Sequence, residues 1–313
     1  MIKNKFPGSM PSTKKSAIHS ELAKYLLTLN INDPVQNIRD LASQLGASIG
    51  LISETISGLE TLGAIEIERR GQLGSFVKNM SIGRLWEVAS GSPMVISHTL
   101  PSNRRYEGLA TGIKQSFNEA GIEAYFIFIR GSRTRLQALR ESRCQIAILS
   151  CFAAEGLQKK QDTVALELPE GSFVGEHFIY YRQRADQPGQ TRIAAVDKDS
   201  YDQFQLSRIE FEGQDVLYKN ITFMNIHRYL TDKQVDMAIW TAEDMENRLG
   251  NSILRRPLST KTSELVKKKN TKAALVVRSD DIATQAVIRK VLQPDKLIAI
   301  QQAVLDGLIV PEY

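Results

Sequence analysis

Along the first eighty positions the apolar residues recur at helical spacing and then switch to alternation. Ile38, Leu41, Ala42 and Leu45 fall on one helical face, and Gly46 supplies the left-handed backbone that ends such a helix. A second stretch sets Leu51, Ile52, Ile56, Leu59 and Leu62 on one face behind Ser48, a good N-cap. Gly63 closes it. Ala64-Ile65-Glu66-Ile67-Glu68-Arg69 then alternates as a strand does. Gly71 and Gly74 mark a tip, and Ser75 to Lys78 read as the return strand. Two helices joined by a tight turn and followed by a hairpin make a winged helix-turn-helix, a shape that fits a DNA major groove and the backbone beside it.

From Met94 the pattern changes again. Met94 to Ser97, Ala124 to Ile129 and Gln145 to Leu149 are short apolar runs, separated by amphipathic stretches at Arg104 to Ala120 and Thr134 to Ser142. Ala124 to Ile129 is apolar throughout, as expected of a strand covered on both faces. A β-α-β-α-β series predicts a parallel sheet with right-handed crossovers. Phe178 to Tyr181 gives another strand. A second series follows: Arg192 to Val196, a helix near Ser200 to Ile209, a strand near Val216, a helix near Asn225 to Leu230, and Met237 to Trp240. Ala273 to Val277 adds a strand, and two amphipathic helices, Ile282 to Leu292 and Lys296 to Leu305, finish the chain. Thr260 to Lys272 is polar and Lys-rich and reads as an exposed loop. The predicted architecture is α/β: a flexible arm over 1–15, a winged helix-turn-helix over 16–79, a linker over 80–93, and a two-lobed ligand-binding domain over 94–313.

Composition narrows the class. A chain of 313 residues is too long for a winged helix alone, and 42% hydrophobic content suffices for further cores. The formal charge of +5 is compatible with nucleic acid without requiring it. Cys144 and Cys151, without CxxC or His partner spacing, suggest a reducing compartment and neither a disulfide framework nor a zinc site. No apolar run approaches the roughly 20 residues needed to span a membrane, and the N-terminus lacks an apolar signal core. These features predict a cytoplasmic protein with no membrane partner, cofactor or metal.

Candidate chemistry sits in two places. The second helix of the winged fold carries no Lys or Arg between Ser48 and Gly63. Base reading therefore falls to Ser53, Glu54 and Ser57, with Thr55 beside them, using hydroxyls and a carboxylate that accepts from cytosine. Ser48, Arg39, Arg69 and Arg70 complete the expected DNA face, with Lys14, Lys15 and Lys78 as further phosphate contacts. In open α/β sheets ligands bind beyond the carboxyl ends of strands. The strand ends here hold Ser97, Thr99, Arg130, Gly131, Ser132, Ser150 and Trp240, with Arg105 and Tyr106 near the same mouth and Glu176-His177 at the expected crossover between lobes. Hydroxyls, exposed backbone N–H groups and an arginine suit a carboxylate or phosphate. Each hydroxyl equally suits a helix cap, and Arg130 requires an anionic partner that is either a ligand or an internal carboxylate. His177 is either a cleft residue or a hydrogen-bonded hinge residue, and Trp240 either stacks on a ligand or fills the core.

Several stretches carry a family resemblance: Ile67-Glu68-Arg69-Arg70-Gly71 with Gly74-Ser75, Tyr106-Glu107-Gly108-Leu109-Ala110 with Gly112, Arg130-Gly131, Ser150 with Ala153-Ala154-Glu155, Val174-Gly175-Glu176-His177, and Ala238-Ile239-Trp240. Over most of its length the chain resembles the YhfZ family of bacterial transcriptional regulators. There a GntR-like winged helix precedes a domain similar to type 2 periplasmic-binding and LysR effector domains. The resemblance implies a homodimeric, double-stranded-DNA-binding, non-enzymatic regulator with a small-molecule pocket. It implies no particular ligand; the strand-end chemistry points to a small anionic metabolite. Typical GntR-like heads carry an arginine in the recognition helix where this chain has Ser53 nearby. Two other readings stand beside it: an enzyme on the same fold using Cys151 as nucleophile and His177 as base, and a transporter's solute-binding protein.

Overall fold

The computed structural model describes residues 14–182, 191–245 and 253–313. Thirteen of the fifteen positions assigned to a flexible arm lie outside the described residues; Lys14 and Lys15 already belong to a helix.

The elements run α1 (Lys14–Thr28), β1 (Pro34–Val35), α2 (Ile38–Gln44), α3 (Ile49–Thr61), β2 (Ile65–Arg69), β3 (Ser75–Met80) and α4 (Ile82–Ser90). Next come β4 (Met94–His98), α5 (Arg104–Glu119), β5 (Ala124–Phe128), α6 (Ser132–Arg140), β6 (Ile146–Ser150), α7 (Cys151–Leu157) and β7 (Asp162–Glu167). Then follow β8 (His177–Arg182), β9 (Arg192–Val196), α8 (Tyr201–Glu210), β10 (Val216–Asn220), α9 (Ile226–Thr231), β11 (Met237–Thr241), α10 (Ala242–Met245) and β12 (Ile253–Pro257). The chain ends with α11 (Thr260–Leu265), β13 (Ala273–Arg278), α12 (Ile282–Val291) and α13 (Pro294–Leu305).

Among the described residues these elements form two compact units, one of residues 14–94, 116–124 and 281–291, the other of the remaining described residues. In the first, Asn37 caps α2 by accepting from Asp40 N, and Ser48 caps α3 by accepting from Leu51 N. Ile52, Ile56 and Leu59 of α3 are buried, at the spacing the sequence predicts. Strands β2 and β3 pair antiparallel, and β1 joins the far side of β3 to give the order β1-β3-β2. Helix α1 has no counterpart in the sequence reading, yet it buries Ile18, Leu22, Ala23, Leu26 and Leu27 and packs on α4 and α12. The stretch expected to be a plain linker contains a full helix, α4, which buries Leu85 and Trp86 and is ended by Gly91 in the left-handed conformation.

The second unit is two α/β lobes. The first lobe's sheet has the order β5-β4-β6-β13-β7 and the second's β10-β9-β11-β8-β12. Neither sheet is purely parallel, as the β-α series suggested. β4 and β6 run parallel, but β13 enters antiparallel between β6 and β7. In the second lobe β9 is parallel to β10 and β11, while β8 runs antiparallel between β11 and β12. One reversed strand in each sheet follows from the chain crossing between lobes twice, once at 168–176 and back at 258–272. This is the type 2 periplasmic-binding-protein-like topology. β5 is an edge strand with Tyr125 half exposed, so its continuous apolar run does not reflect burial on both faces. The Lys-rich stretch expected to be a loop is helical, from α11 into a wider turn over Val266–Asn270, and buries Thr262, Val266 and Asn270.

Candidate DNA face and effector cleft

On the winged helix, Ser53, Glu54 and Ser57 lie exposed along α3, and Arg39 is exposed in the first turn of α2. Ser48 is occupied as a cap. Thr55 does not belong to this face: it is buried and its Oγ1 donates to Leu51 O at 2.7 Å. The wing cations are matched one by one with carboxylates. Arg69 pairs with Glu60 at 2.9 Å, Arg70 with Glu68 at 2.6 Å, and Lys78 with Glu66 at 2.7 Å. Arg70 also lies over the Phe76 ring. Lys15 pairs with Glu54 at 2.7 Å. Over residues 14–80 the seven cations Lys14, Lys15, Lys24, Arg39, Arg69, Arg70 and Lys78 equal the seven anions Glu21, Asp33, Asp40, Glu54, Glu60, Glu66 and Glu68. The head is therefore neutral, and phosphate contact by the wing cations requires them to exchange partners.

Between the two lobes of the second unit lies a cavity of about 550 Å³ counted to its open mouth. The first lobe and the crossings contribute Thr99, Tyr106, Gly131, Arg135, Phe173 and Asn270; the second lobe contributes His177, Asp202, Phe223, Trp240 and Thr241. Five sequence candidates, Thr99, Tyr106, Gly131, His177 and Trp240, thus line one space. Trp240 stacks on Phe223 with ring centroids 4.5 Å apart, so one face is spent on the protein. Gly131 has a positive φ of 83°, and a Cβ there would meet Asp199 O at 2.7 Å. Only glycine lets the two lobes approach at this point.

The other candidates lie outside the cavity lining. Arg130 is held by Asp197 and Asp199 of the second lobe, each at 2.5 Å, so its anionic partner is internal. Asp197 is buried and also accepts from the backbone N of Asp199 and Phe223, which makes Arg130 a clamp across the cleft. Arg105 pairs with Glu243 at 2.7 Å and donates to Gly171 O. Ser97 is buried and donates to Ile146 O at 3.4 Å. Ser132 Oγ accepts from Tyr201 N, and Ser150 caps α7 while donating to Asp202. Glu176 is exposed beside the cavity.

The residue missed by sequence reasoning is Arg135. It is only 3% exposed, on the inward stripe of α6 with Ser132, Leu136 and Leu139. Its Nε donates to Ile148 O at 2.9 Å and one terminal nitrogen to Ile129 O at 3.0 Å. Burial disfavours its charge and the nearby charge of Asp202 favours it, but no carboxylate of the described residues lies within ion-pair distance of it. An arginine on an otherwise apolar helical stripe was the available signal.

Behind the cavity wall, His98 is fully buried among Tyr106, Phe126, Phe128 and Phe173. Its Nδ1–H donates to Thr99 O at 3.0 Å, Nε2 has no partner, and burial pushes its pKa down to about 3. Cys151 does not line the cavity that His177 lines. Its thiol is buried in the first lobe's core, and burial pushes it up to about 12, the opposite of an activated nucleophile. Cys144 and Cys151 are both free. Among the described residues no three His, Cys, Asp or Glu side chains converge in a way that could hold a metal ion. Nor is any described helix long and apolar enough to cross a membrane.

Comparison with known proteins agrees with both halves of this layout. The family model of the YhfZ C-terminal domain matches residues 82–313, and a helix-turn-helix domain model matches residues 30–77. The uncharacterized protein YhfZ of Escherichia coli K12 is 32% identical over 303 residues, covering 96% of this chain and 98% of that one. The crystal structure of YhfZ from Shigella flexneri, at 29% identity, matches with a TM-score of 0.59 and covers 71% of this chain and 93% of that one. The chain belongs to the YhfZ family.

Proposed function

We propose that this protein is a ligand-responsive, DNA-binding transcriptional regulator of the cytoplasm. Its winged helix binds an operator as a homodimer, and its cleft binds a small metabolite bearing an anionic group. The observation that carries the reading is Arg135: a buried guanidinium with no carboxylate partner among the described residues borders a cavity, in a chain that also holds a helix-turn-helix. Within the chain its charge is offset only at longer range, by Asp202, and a buried charge without a hydrogen-bonded counter-ion is costly, so a site of this kind is matched to an anion that arrives. Ligand binding shifts regulation only through different affinity for two states of the chain, and lobe closure supplies two such states. A two-fold symmetric dimer calls for a roughly palindromic site with half-sites whole turns apart.

The test is selection of random duplex DNA by the full chain, followed by anisotropy titration of the recovered sequence over a range of salt. Saturable binding of two chains per duplex is expected. Arg69→Ala with Arg70→Ala should weaken it and lower the salt slope by up to about 2, since each phosphate contact contributes about 0.9. An unchanged affinity and slope in the double variant would refute the assignment of the wing.

A further inference from the structure

We infer that the cleft ligand is a zwitterion of amino-acid class, with its anionic group on Arg135 and its ammonium on Asp202 and Asn270. The inference rests on the cleft reading above and narrows it.

Three unmet groups border the cavity, and they differ in sign. Arg135 spends two donors on the carbonyls of Ile148 and Ile129 and keeps the rest of its fork without a partner among the described residues. Asp202, on the opposite lobe, accepts from Ser200 Oγ at 2.7 Å and Ser150 Oγ at 3.2 Å, and no Lys or Arg of the described residues pairs with it. A carboxylate accepts about four hydrogen bonds, so half its capacity is open. Asn270 is 2% exposed and its Oδ1 has no partner.

The orientation of Asn270 follows from its neighbour. His177 Nδ1 faces Gly175 O at 3.1 Å. A carbonyl only accepts, so Nδ1 carries the proton. In the neutral imidazole Nε2 is then an acceptor. Asn270, 3.2 Å from Nε2, must present its Nδ2 there. That leaves the buried Oδ1 as an acceptor awaiting a donor.

The lining thus offers one full positive charge, one full negative charge and one bare carbonyl. A simple anion would satisfy Arg135 but add repulsion beside Asp202 and leave Oδ1 unmet. A simple amine would do the reverse. A molecule with both groups meets all three. The rings of Tyr106, Phe173 and the Phe223–Trp240 stack offer apolar surface for the rest of it.

The experiment is thermal shift and calorimetric titration of the full chain with the twenty common L-amino acids. Each hit is compared with its deaminated carboxylic acid and its decarboxylated amine. The expected result is at least one amino acid that binds, with both truncated partners at least tenfold weaker. Asp202→Asn should weaken the amino acid tenfold or more while leaving any binding of the deaminated acid as tight or tighter, since the repulsion beside Asp202 is gone. Asn270→Ala should weaken the amino acid in the same direction, and serves if Asp202→Asn fails to fold. Equal binding of acid and amino acid, indifferent to both variants, would overturn the zwitterion and leave the cleft reading standing. Binding by none of the acids, amines or amino acids would overturn the cleft reading as well.

Discussion

Acid should destabilise this protein through His98. The ring sits fully buried in a cage of Tyr106, Phe126, Phe128 and Phe173, with a single hydrogen bond to Thr99 O. Its folded pKa is about 3, against 6.5 for a free imidazole. The folded state therefore holds the neutral ring, and below pH 6.5 the unfolded chain binds the proton first. Stability is full above 6.5, falls as pH drops toward 3, and levels off below it. Integrated from pH 7.5 to 5.0, the loss is about 2 kcal/mol. His98→Leu fills the cage without a titrating group. It loses the hydrogen bond to Thr99, at about 1 kcal/mol. The variant should therefore be the less stable protein at pH 7.5 and the more stable one at pH 5, the two curves crossing near about pH 6. Urea unfolding at both pH values measures this, and the other histidines cancel in the difference. A wild-type-minus-variant difference that stays flat between pH 7.5 and 5 would refute the buried, neutral assignment. Because Tyr106 and Phe173 also line the cavity, the same acid range should loosen the cleft wall.

Three further outcomes follow from the same geometry. Glu66→Gln with Glu68→Gln frees Lys78 and Arg70 from their ion pairs, so DNA affinity should rise several-fold and the salt slope grow by up to about 2, read by anisotropy titration. Arg130→Ala leaves Asp197 buried without its cation. The loss should be about 2 kcal/mol of stability, discounted because Arg130 is itself about a third exposed, and a urea midpoint equal to wild type would contradict the clamp. Cys151, with its thiol near 12, should resist iodoacetamide at pH 8 in the native protein and react once urea unfolds it. Fast native alkylation would return the nucleophile reading to consideration.

How much of this was legible in the sequence depends on the distance over which each residue finds its partner. Local signals read well. Ser48 as a cap, the buried Ile52, Ile56 and Leu59, and the Gly63 terminator all follow from positions within one helix. Helix α1 was obscured because its apolar face opens amid polar residues and its identity is set by packing on α4 and α12. Arg130 and Arg135 show the limit most clearly. Both are arginines near one strand end, and the argument that such a charge needs an anion holds for each. Arg130 finds Asp197 and Asp199 nearly seventy positions away, across the cleft, a pairing no local pattern announces. Arg135 occupies the register of Ser132, Leu136 and Leu139, so helical phase points it inward, where burial disfavours its charge and Asp202 supports it from beyond ion-pair distance.

The periodicity that marks a core stripe is also what marks a functional charge, when one position of the stripe cannot be satisfied by core. Asn270 repeats the lesson. It closes a run of lysines that reads as solvated surface, but three of those residues face out while the asparagine turns in and meets His177. Composition averaged over the run hid the one position that differed. The winged helix inverts the case. There the basic residues were counted as phosphate contacts, and the fold places a glutamate beside each wing cation. A head of zero net charge gains little from the phosphate backbone alone, so on the proposed dimeric reading its affinity rests on two heads acting together and on specific contacts from α3.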